Sequence, residues 1–81
     1  MKVTVRFFAL YRQLVGTAET SVEVPAGATL SQLWEQVQGL FTGLRGYPLM
    51  AAVNGEQCDG TTPLSGGDEV AFLPPFSGGR R

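Results

Sequence analysis

The segment 29–38 constrains the fold most, because it is the only long stretch with helical periodicity between segments that alternate like strands. Thr29 and Gln32 have the spacing of a capping box, in which each side chain accepts a hydrogen bond from the other residue's backbone N–H. Apolar residues recur every three or four positions at Leu30, Leu33, Trp34 and Val37. One side of the segment is therefore apolar, and we predict a helix that buries Trp34 in the core.

Strand-like alternation precedes this helix in two segments. Residues 2–8 and 19–24 alternate apolar and polar side chains, which is the period of a half-buried strand. Phe8 breaks the pattern by placing an aromatic ring on the otherwise polar face. Residues 9–15 predict one or two helical turns that end at Gly16, a residue type that commonly ends helices.

Turn signals divide the second half of the chain into short strands. Residues 49–53 form an apolar run, and Asn54-Gly55 directly after it predicts a hairpin, because both turn positions need positive φ. Residues 56–58 form the returning strand, and residues 69–73 alternate again as the last strand. The glycine-rich loop before this hairpin is predicted to cover Leu40, Phe41 and Leu44.

These elements predict an α+β roll, in which one main helix covers one face of a mixed sheet of about five strands. A right-handed crossover through the helix places the first and last strands side by side and parallel, so their C-terminal ends lie together. We expect a single domain over residues 1–75, followed by a flexible C-terminal tail over residues 76–81.

Composition excludes several kinds of chemistry. The 81 residues include no histidine and one cysteine, which excludes a Ser-His-Asp arrangement, an internal disulfide and the usual zinc sites. We therefore expect no metal site, and chemistry only as a substrate or carrier. A net charge of −1 gives no electrostatic reason for a nucleic-acid partner, and the chain has no apolar run long enough to span a membrane. The lone cysteine and an N-terminus unlike a signal peptide favour the cytoplasm.

Two prolines and then two glycines mark the last stretch of the chain. Pro74 and Pro75 remove two backbone donors and project the chain away from the sheet. Gly78 and Gly79 then leave only backbone, which a narrow channel can admit to bring a main-chain carbonyl to a reactive centre. The alternative is a frayed terminus, where disorder is common.

Several segments together resemble one family. They are Val5-Arg6-Phe7-Phe8-Ala9, Leu49 to Gly55, Pro63-Leu64, Gly67 to Pro75 and Ser77-Gly78-Gly79. This combination resembles the MoaD family of ubiquitin-like sulfur carriers over essentially the whole chain. The resemblance implies the β-grasp fold, which agrees with the predicted order of elements.

The resemblance also implies a chemistry for the tail. In the family, an ATP-dependent, E1-like activating enzyme adenylates the terminal glycine carboxylate, and sulfur then replaces AMP to give a thiocarboxylate. The large subunit of molybdopterin synthase uses this sulfur to build the dithiolene of molybdopterin. Gly79, preceded by Gly78, is the corresponding terminus in this chain. No cofactor would be bound permanently, ATP would be used by the activating enzyme, and the catalytic side chains would belong to the partners.

The C-terminal end of the sequence departs from this pattern. Gly79 is joined to Arg80-Arg81, whereas the chemistry needs a free glycine carboxylate. Three explanations remain open: trimming after Gly79, an added or fused segment downstream, or a relative that has lost the carrier role.

The broken alternation predicts a docking surface. Phe8 and Leu73 point away from the helix-covered face at strand ends that should lie together, so we expect an exposed apolar patch beside the tail. By resemblance this patch contacts the large subunit and the activating enzyme. Further partner-binding candidates are Pro74, Pro75 and Phe76, with Arg12 and Gln57 at the rim. The alternatives are a carrier for another thiolation pathway, a ubiquitin-like protein modifier, or an interaction domain without carrier chemistry.

Overall fold

The computed structural model describes residues 1–75, which form five strands, two helices and one 3-10 turn. The elements in chain order are β1 (Lys2–Phe7), α1 (Leu10–Val15), β2 (Glu19–Glu23), α2 (Leu30–Leu40), the 3-10 turn (Thr42–Leu44), β3 (Ala51–Val53), β4 (Glu56–Cys58) and β5 (Glu69–Phe72).

The strands form one mixed sheet with the order β2-β1-β5-β3-β4. β1 and β5 pair in parallel in the centre, and the other three pairings are antiparallel. The predicted α+β architecture, with the first and last strands side by side, is confirmed.

Local signals explain where α2 begins. The Thr29 hydroxyl accepts from the Gln32 backbone N–H at 3.3 Å, and the Gln32 side chain accepts from the Thr29 N–H at 2.8 Å. This reciprocal pair is the predicted capping box, and it satisfies two backbone donors that the first turn leaves free. The apolar side of the helix, including Trp34, is buried against the sheet.

The far end of α2 differs from the prediction at one residue. Leu40 is 60% exposed and does not pack beneath the following loop. The inward position goes to the next residue, Phe41, whose ring lies edge-on 5.6 Å from the ring of Phe7. Leu44 in the 3-10 turn is fully buried, as predicted. Phe41 continues the four-residue spacing of Leu33 and Val37, and its N–H still donates to the Val37 carbonyl at 2.8 Å, so it follows the apolar side of the helix whereas Leu40 does not.

Trp34 lies at the centre of the core. Its side chain is 6% exposed, its ring centroid is 4.6 Å from that of Phe72, and its indole N–H donates to the Tyr47 carbonyl at 3.3 Å. Trp34 thus links α2 to β5, the strand that leads to the tail. The predicted core position is confirmed.

Trp34→Ala is expected to lower the free energy of unfolding by about 3 to 5 kcal/mol, because it leaves a large cavity. A loss of this size removes much of the stability of a small domain. A urea titration measures it, with Leu40→Ala as the matched control on an exposed position of the same helix. A Trp34→Ala midpoint equal to that of the control would contradict the central role of this residue.

Tyr11 in α1 is fully buried, although its sequence context marks only the neighbouring leucines as apolar. Its ring packs against Trp34 and Tyr47, with centroids 5.7 and 5.3 Å apart. The hydroxyl has no hydrogen-bond partner among residues 1–75. Burial, with a smaller contribution from Tyr47, raises the pKa of the Tyr11 hydroxyl above its ordinary value.

Tyr11→Phe is expected to leave stability at pH 7 unchanged or to raise it by up to about 1 kcal/mol, since an unpartnered buried hydroxyl is costly. As the pH rises past about 10, an unfolded chain releases the tyrosine proton more readily than the folded chain. The folded state of the wild type therefore loses stability above that pH, and Tyr11→Phe should lose less. Denaturant titrations at pH 7 and at alkaline pH measure both effects. A variant that is clearly less stable at pH 7 would show that the hydroxyl has a partner.

The predicted hairpin turn lies at the end of the sheet opposite the tail. Asn54 and Gly55 have φ values of 52° and 86°, as the tight turn between β3 and β4 requires. The Asn54 side chain accepts from the Glu69 N–H at 2.9 Å and donates to Asp68 at 3.0 Å. This turn is therefore fastened to the start of β5, which fixes the strand that carries the tail.

Candidate functional site

The C-terminal ends of β1 and β5 lie side by side. Phe7 and Phe72 are partners in the parallel ladder, so Phe8 and Leu73 are the next residues on both strands. The Leu73 N–H still donates to the Met50 carbonyl at 2.9 Å. Pro74 and Pro75 follow and carry no N–H, so they cannot extend this ladder. The chain therefore leaves the ladder at Pro74, just after the central strand β5.

Residues 76–81, over which a flexible tail is predicted, lie outside the part of the chain that the structure describes. They include the candidate site residues Phe76, Gly78 and Gly79, with Ser77 before the glycines and Arg80-Arg81 after them.

Phe8 and Leu73 lie on the outer face of the sheet, which is the face opposite α2. Phe7 and Phe72 are buried on the inner face, whereas Phe8 is 40% exposed and Leu73 is 37% exposed. The predicted exposure of both side chains is thus confirmed. The exposed ring of Phe8 and the methyl groups of Leu73 lie at the edge of the sheet where Pro74 follows β5.

Smaller apolar residues extend this surface across the sheet. Ala71 pairs with Ala52, and Met50 lies opposite Leu73 next to β3. All three are half-buried. We call the set Phe8, Met50, Ala52, Ala71 and Leu73 the outer patch. Because the alanines carry short side chains, the middle of the patch is recessed. The larger side chains of Phe8, Met50 and Leu73 lie at the end of the patch nearest to Pro74.

Arg6 is a polar residue next to the outer patch, and it is not among the predicted partner-binding residues. Its guanidinium lies 5.6 Å from the centre of the Phe8 ring. It also lies 3.3 Å from a Glu69 carboxylate oxygen and 3.8 Å from one of Glu19. The sequence signal that could have identified Arg6 is the strand period, because residues two positions apart, such as Arg6 and Phe8, lie on the same face.

The two predicted rim residues lie on different elements, β4 and α1. Gln57 is exposed on β4, and its pairing with Ala52 places it on the outer face. Arg12 is exposed on α1. Gln57 thus borders the patch through Ala52, whereas Arg12 belongs to the helix that follows Phe8. Their roles in partner binding stay predictions.

The backbone just after Phe8 is strained. Ala9 has φ 51° and ψ −125°, a conformation that glycine adopts more easily than alanine. The Tyr11 N–H donates to the Phe8 carbonyl at 3.0 Å and closes the turn. Strain of this kind persists where the surrounding structure fixes it, and here the fully buried Tyr11 ring holds the turn. The turn sets the direction of the backbone after β1, at Phe8 and Ala9.

Among residues 1–75, no group of three or more acidic, histidine or cysteine side chains could hold a metal ion. No helix in this part of the chain is long and apolar enough to cross a membrane.

Known proteins resemble this chain in fold and in sequence. The small archaeal modifier SAMP1 of Haloferax volcanii superposes with a TM-score of 0.87 at 24% identity, covering 98% of this chain and 100% of that one. This likeness confirms the β-grasp fold. Subunits 1 and 2 of the molybdopterin-converting factor of Helicobacter pylori form a protein complex, and a chain of it matches with a TM-score of 0.68 at 28% identity, over 98% of this chain and 100% of that one.

Sequence similarity extends from β1 into the tail. The molybdopterin synthase sulfur carrier subunit of Escherichia coli is 41% identical over 80 residues, which cover 95% of this chain and 99% of that relative. The sequence model of the ThiS family matches residues 5–79, from the middle of β1 to Gly79. Since this match includes the central strands, the outer patch and Gly78-Gly79, the chain belongs to the ThiS family.

Proposed function

We propose that this chain is the sulfur carrier subunit of a molybdopterin synthase. The observation that carries the proposal is the position of Pro74 and Pro75, which closely follow the central strand β5 beside the exposed outer patch and precede Gly78 and Gly79 in the sequence. A partner that covers Phe8 and Leu73 is thereby placed where it receives the terminal glycines. The E. coli relative, which is 41% identical over nearly its whole length, is named as a molybdopterin synthase sulfur carrier subunit.

The reactive group is the carboxylate of Gly79. A bare carboxylate is a poor acyl donor, so an oxygen of it first attacks the α-phosphate of ATP and pyrophosphate leaves. The resulting acyl adenylate has a good leaving group. A sulfur nucleophile then attacks the carbonyl carbon and AMP leaves. Hydrosulfide as the nucleophile gives the thiocarboxylate directly. A persulfide gives an acyl disulfide, whose S–S bond a thiol then cleaves to leave the thiocarboxylate on this chain and a disulfide on the donor. The E1-like activating enzyme supplies the catalytic groups, and ATP is its substrate.

The large subunit of molybdopterin synthase is the acceptor. It takes sulfur from the thiocarboxylate and builds the dithiolene of molybdopterin, while this chain returns to the carboxylate form. The complex of subunits 1 and 2 from H. pylori supports a partner of this kind. We place the reaction in the cytoplasm, where ATP is available.

The length of the tail sets how far the partner's reactive centre can lie from the sheet. Four residues separate Pro75 from the end of Gly79, and they span at most about 13 to 14 Å when extended. The docking surface must therefore lie close to the reactive centre. The outer patch fulfils this requirement, because Leu73 immediately precedes the two prolines.

Reconstitution tests this function. A chain that ends at Gly79 is incubated with the activating enzyme, ATP and a sulfur donor, and then with the large subunit and the cyclic pyranopterin precursor. We expect sulfur to be loaded on the chain and then to appear in the dithiolene product. Loading without transfer to the pterin, together with transfer to tRNA or to protein lysines, would favour another thiolation pathway or a modifier role.

A further inference from the structure

Arg6 lies beside two carboxylates and an aromatic ring, and the proposed function does not use these contacts. We infer that Arg6 is a positioning residue that holds the Phe8 ring ready for docking of the large subunit. The inference rests on the proposed function, because it assigns Phe8 to the surface that this partner covers. It concerns how the docking residue is oriented before binding.

Arg6 is itself fixed by the two strands on either side of β1. Glu19 on β2 is its direct partner in the antiparallel pairing, and its carboxylate lies 3.8 Å from the Arg6 Nε. Glu69 on β5 approaches the other side, with an oxygen 3.3 Å from an Arg6 terminal nitrogen. Since the guanidinium is planar and has donors on several sides, it can bind both carboxylates in one orientation. In that orientation it lies 5.6 Å from the centre of the Phe8 ring.

Phe8 needs such support because no strand holds it on both sides. It follows the last residue of β1, and its side chain is 40% exposed. An exposed aromatic side chain samples several rotamers, and a partner that binds it must select one. The ring face attracts the Arg6 cation, which favours the rotamer that lies under the guanidinium. Binding of the partner then costs less side-chain entropy at Phe8.

The charges around Arg6 also allow a partner to cover it. Its positive charge is shared with two carboxylates on the same face, so the partner need not supply an acidic group opposite it. A buried cation without a partner would weaken binding. Arg6 can therefore act through Phe8 without a direct contact to the large subunit. A charged residue at the rim of an interface would instead contact the partner itself.

Calorimetric titration of the large subunit from the organism that carries this chain tests the inference. Arg6→Gln should weaken binding about three- to tenfold, as the loss of one pre-ordered side chain implies. Lys2→Gln is the matched control, because Lys2 is exposed on the same face at the other end of β1. This control should bind like the wild type. Equal affinities of Arg6→Gln and wild type would overturn the inference.

A double-mutant cycle distinguishes positioning from direct contact. Phe8→Leu keeps an apolar side chain and removes the ring, so Arg6→Gln should cause no further loss in that background. If Arg6→Gln weakens binding as much with leucine at position 8 as with phenylalanine, Arg6 contacts the partner itself and the inference is wrong.

A measurement without a partner completes the test. In the NMR spectrum of the free chain, the Arg6 side-chain protons should be shifted upfield by the Phe8 ring, and Phe8→Leu should remove this shift. Arg6→Gln should convert the Phe8 χ1 couplings from single-rotamer values to averaged ones. A Phe8 rotamer unchanged by Arg6→Gln would overturn the inference. If the wild-type chain does not bind the large subunit at all, the proposed function fails, and the rotamer measurement still decides the role of Arg6.

Discussion

Replacing Phe8 and Leu73 together by lysine is expected to abolish detectable binding of the large subunit while leaving the chain folded. Both side chains are exposed at the tail end of the outer patch, and neither belongs to the buried core. The change removes two apolar contacts and forces two charges into the interface. Central interface residues contribute about 2 kcal/mol or more each, so the dissociation constant should rise at least about 100- to 1,000-fold.

Leu40→Lys provides the control for this experiment. Leu40 is 60% exposed at the end of α2, away from the outer face, and the substitution introduces the same charge. We expect wild-type affinity for this variant and unchanged circular dichroism for both. If the double lysine variant binds like the wild type, the outer patch is not the docking surface.

The second large effect concerns the end of the chain. A chain ending at Gly79 should be adenylated by the activating enzyme, whereas chains ending at Ser77 or at Arg81 should be inert. Removal of Gly78 and Gly79 withdraws the carboxylate by about 7 Å, which is beyond reacting distance. In the chain ending at Arg81, the Gly79 carbonyl is an amide. Two long cationic side chains would have to enter a channel shaped for glycine, at a steric cost and a cost in side-chain entropy.

ATP–pyrophosphate exchange measures adenylation of these three chains directly. All three contain residues 1–75, so a denaturant titration should give the same midpoint for each and exclude misfolding as the cause. Equal exchange rates for the chains ending at Gly79 and at Arg81, with no trimming during the assay, would refute the terminal-glycine mechanism.

Elements with strong local signals were predictable from the sequence. The capping box of α2 and the Asn54-Gly55 turn depend on residues within three positions of each other, so their side chains largely determine the backbone. The parallel pairing of β1 and β5 followed from the handedness of crossover connections. That pairing brought Phe8 and Leu73 together, and with them the predicted patch.

Features that depend on distant residues were not predictable. Arg6 and Glu69 are 63 positions apart in the sequence, and only the sheet order makes them neighbours. Tyr11 is buried although its helix has more conspicuous apolar residues in Leu10 and Leu14, both of which are exposed. The short α1 has too few turns for a helical period to identify its inner side. Packing against Trp34 and Tyr47 decides it instead.

The intact mass of the protein from the cells that produce it tests the carrier function most directly. We predict a form that ends at Gly79 and carries one sulfur atom in place of one carboxylate oxygen. Incubation with the large subunit and the pterin precursor should return it to the carboxylate mass. A protein found only with Arg80-Arg81 attached to Gly79, without any sulfur-containing form, would contradict the proposed function.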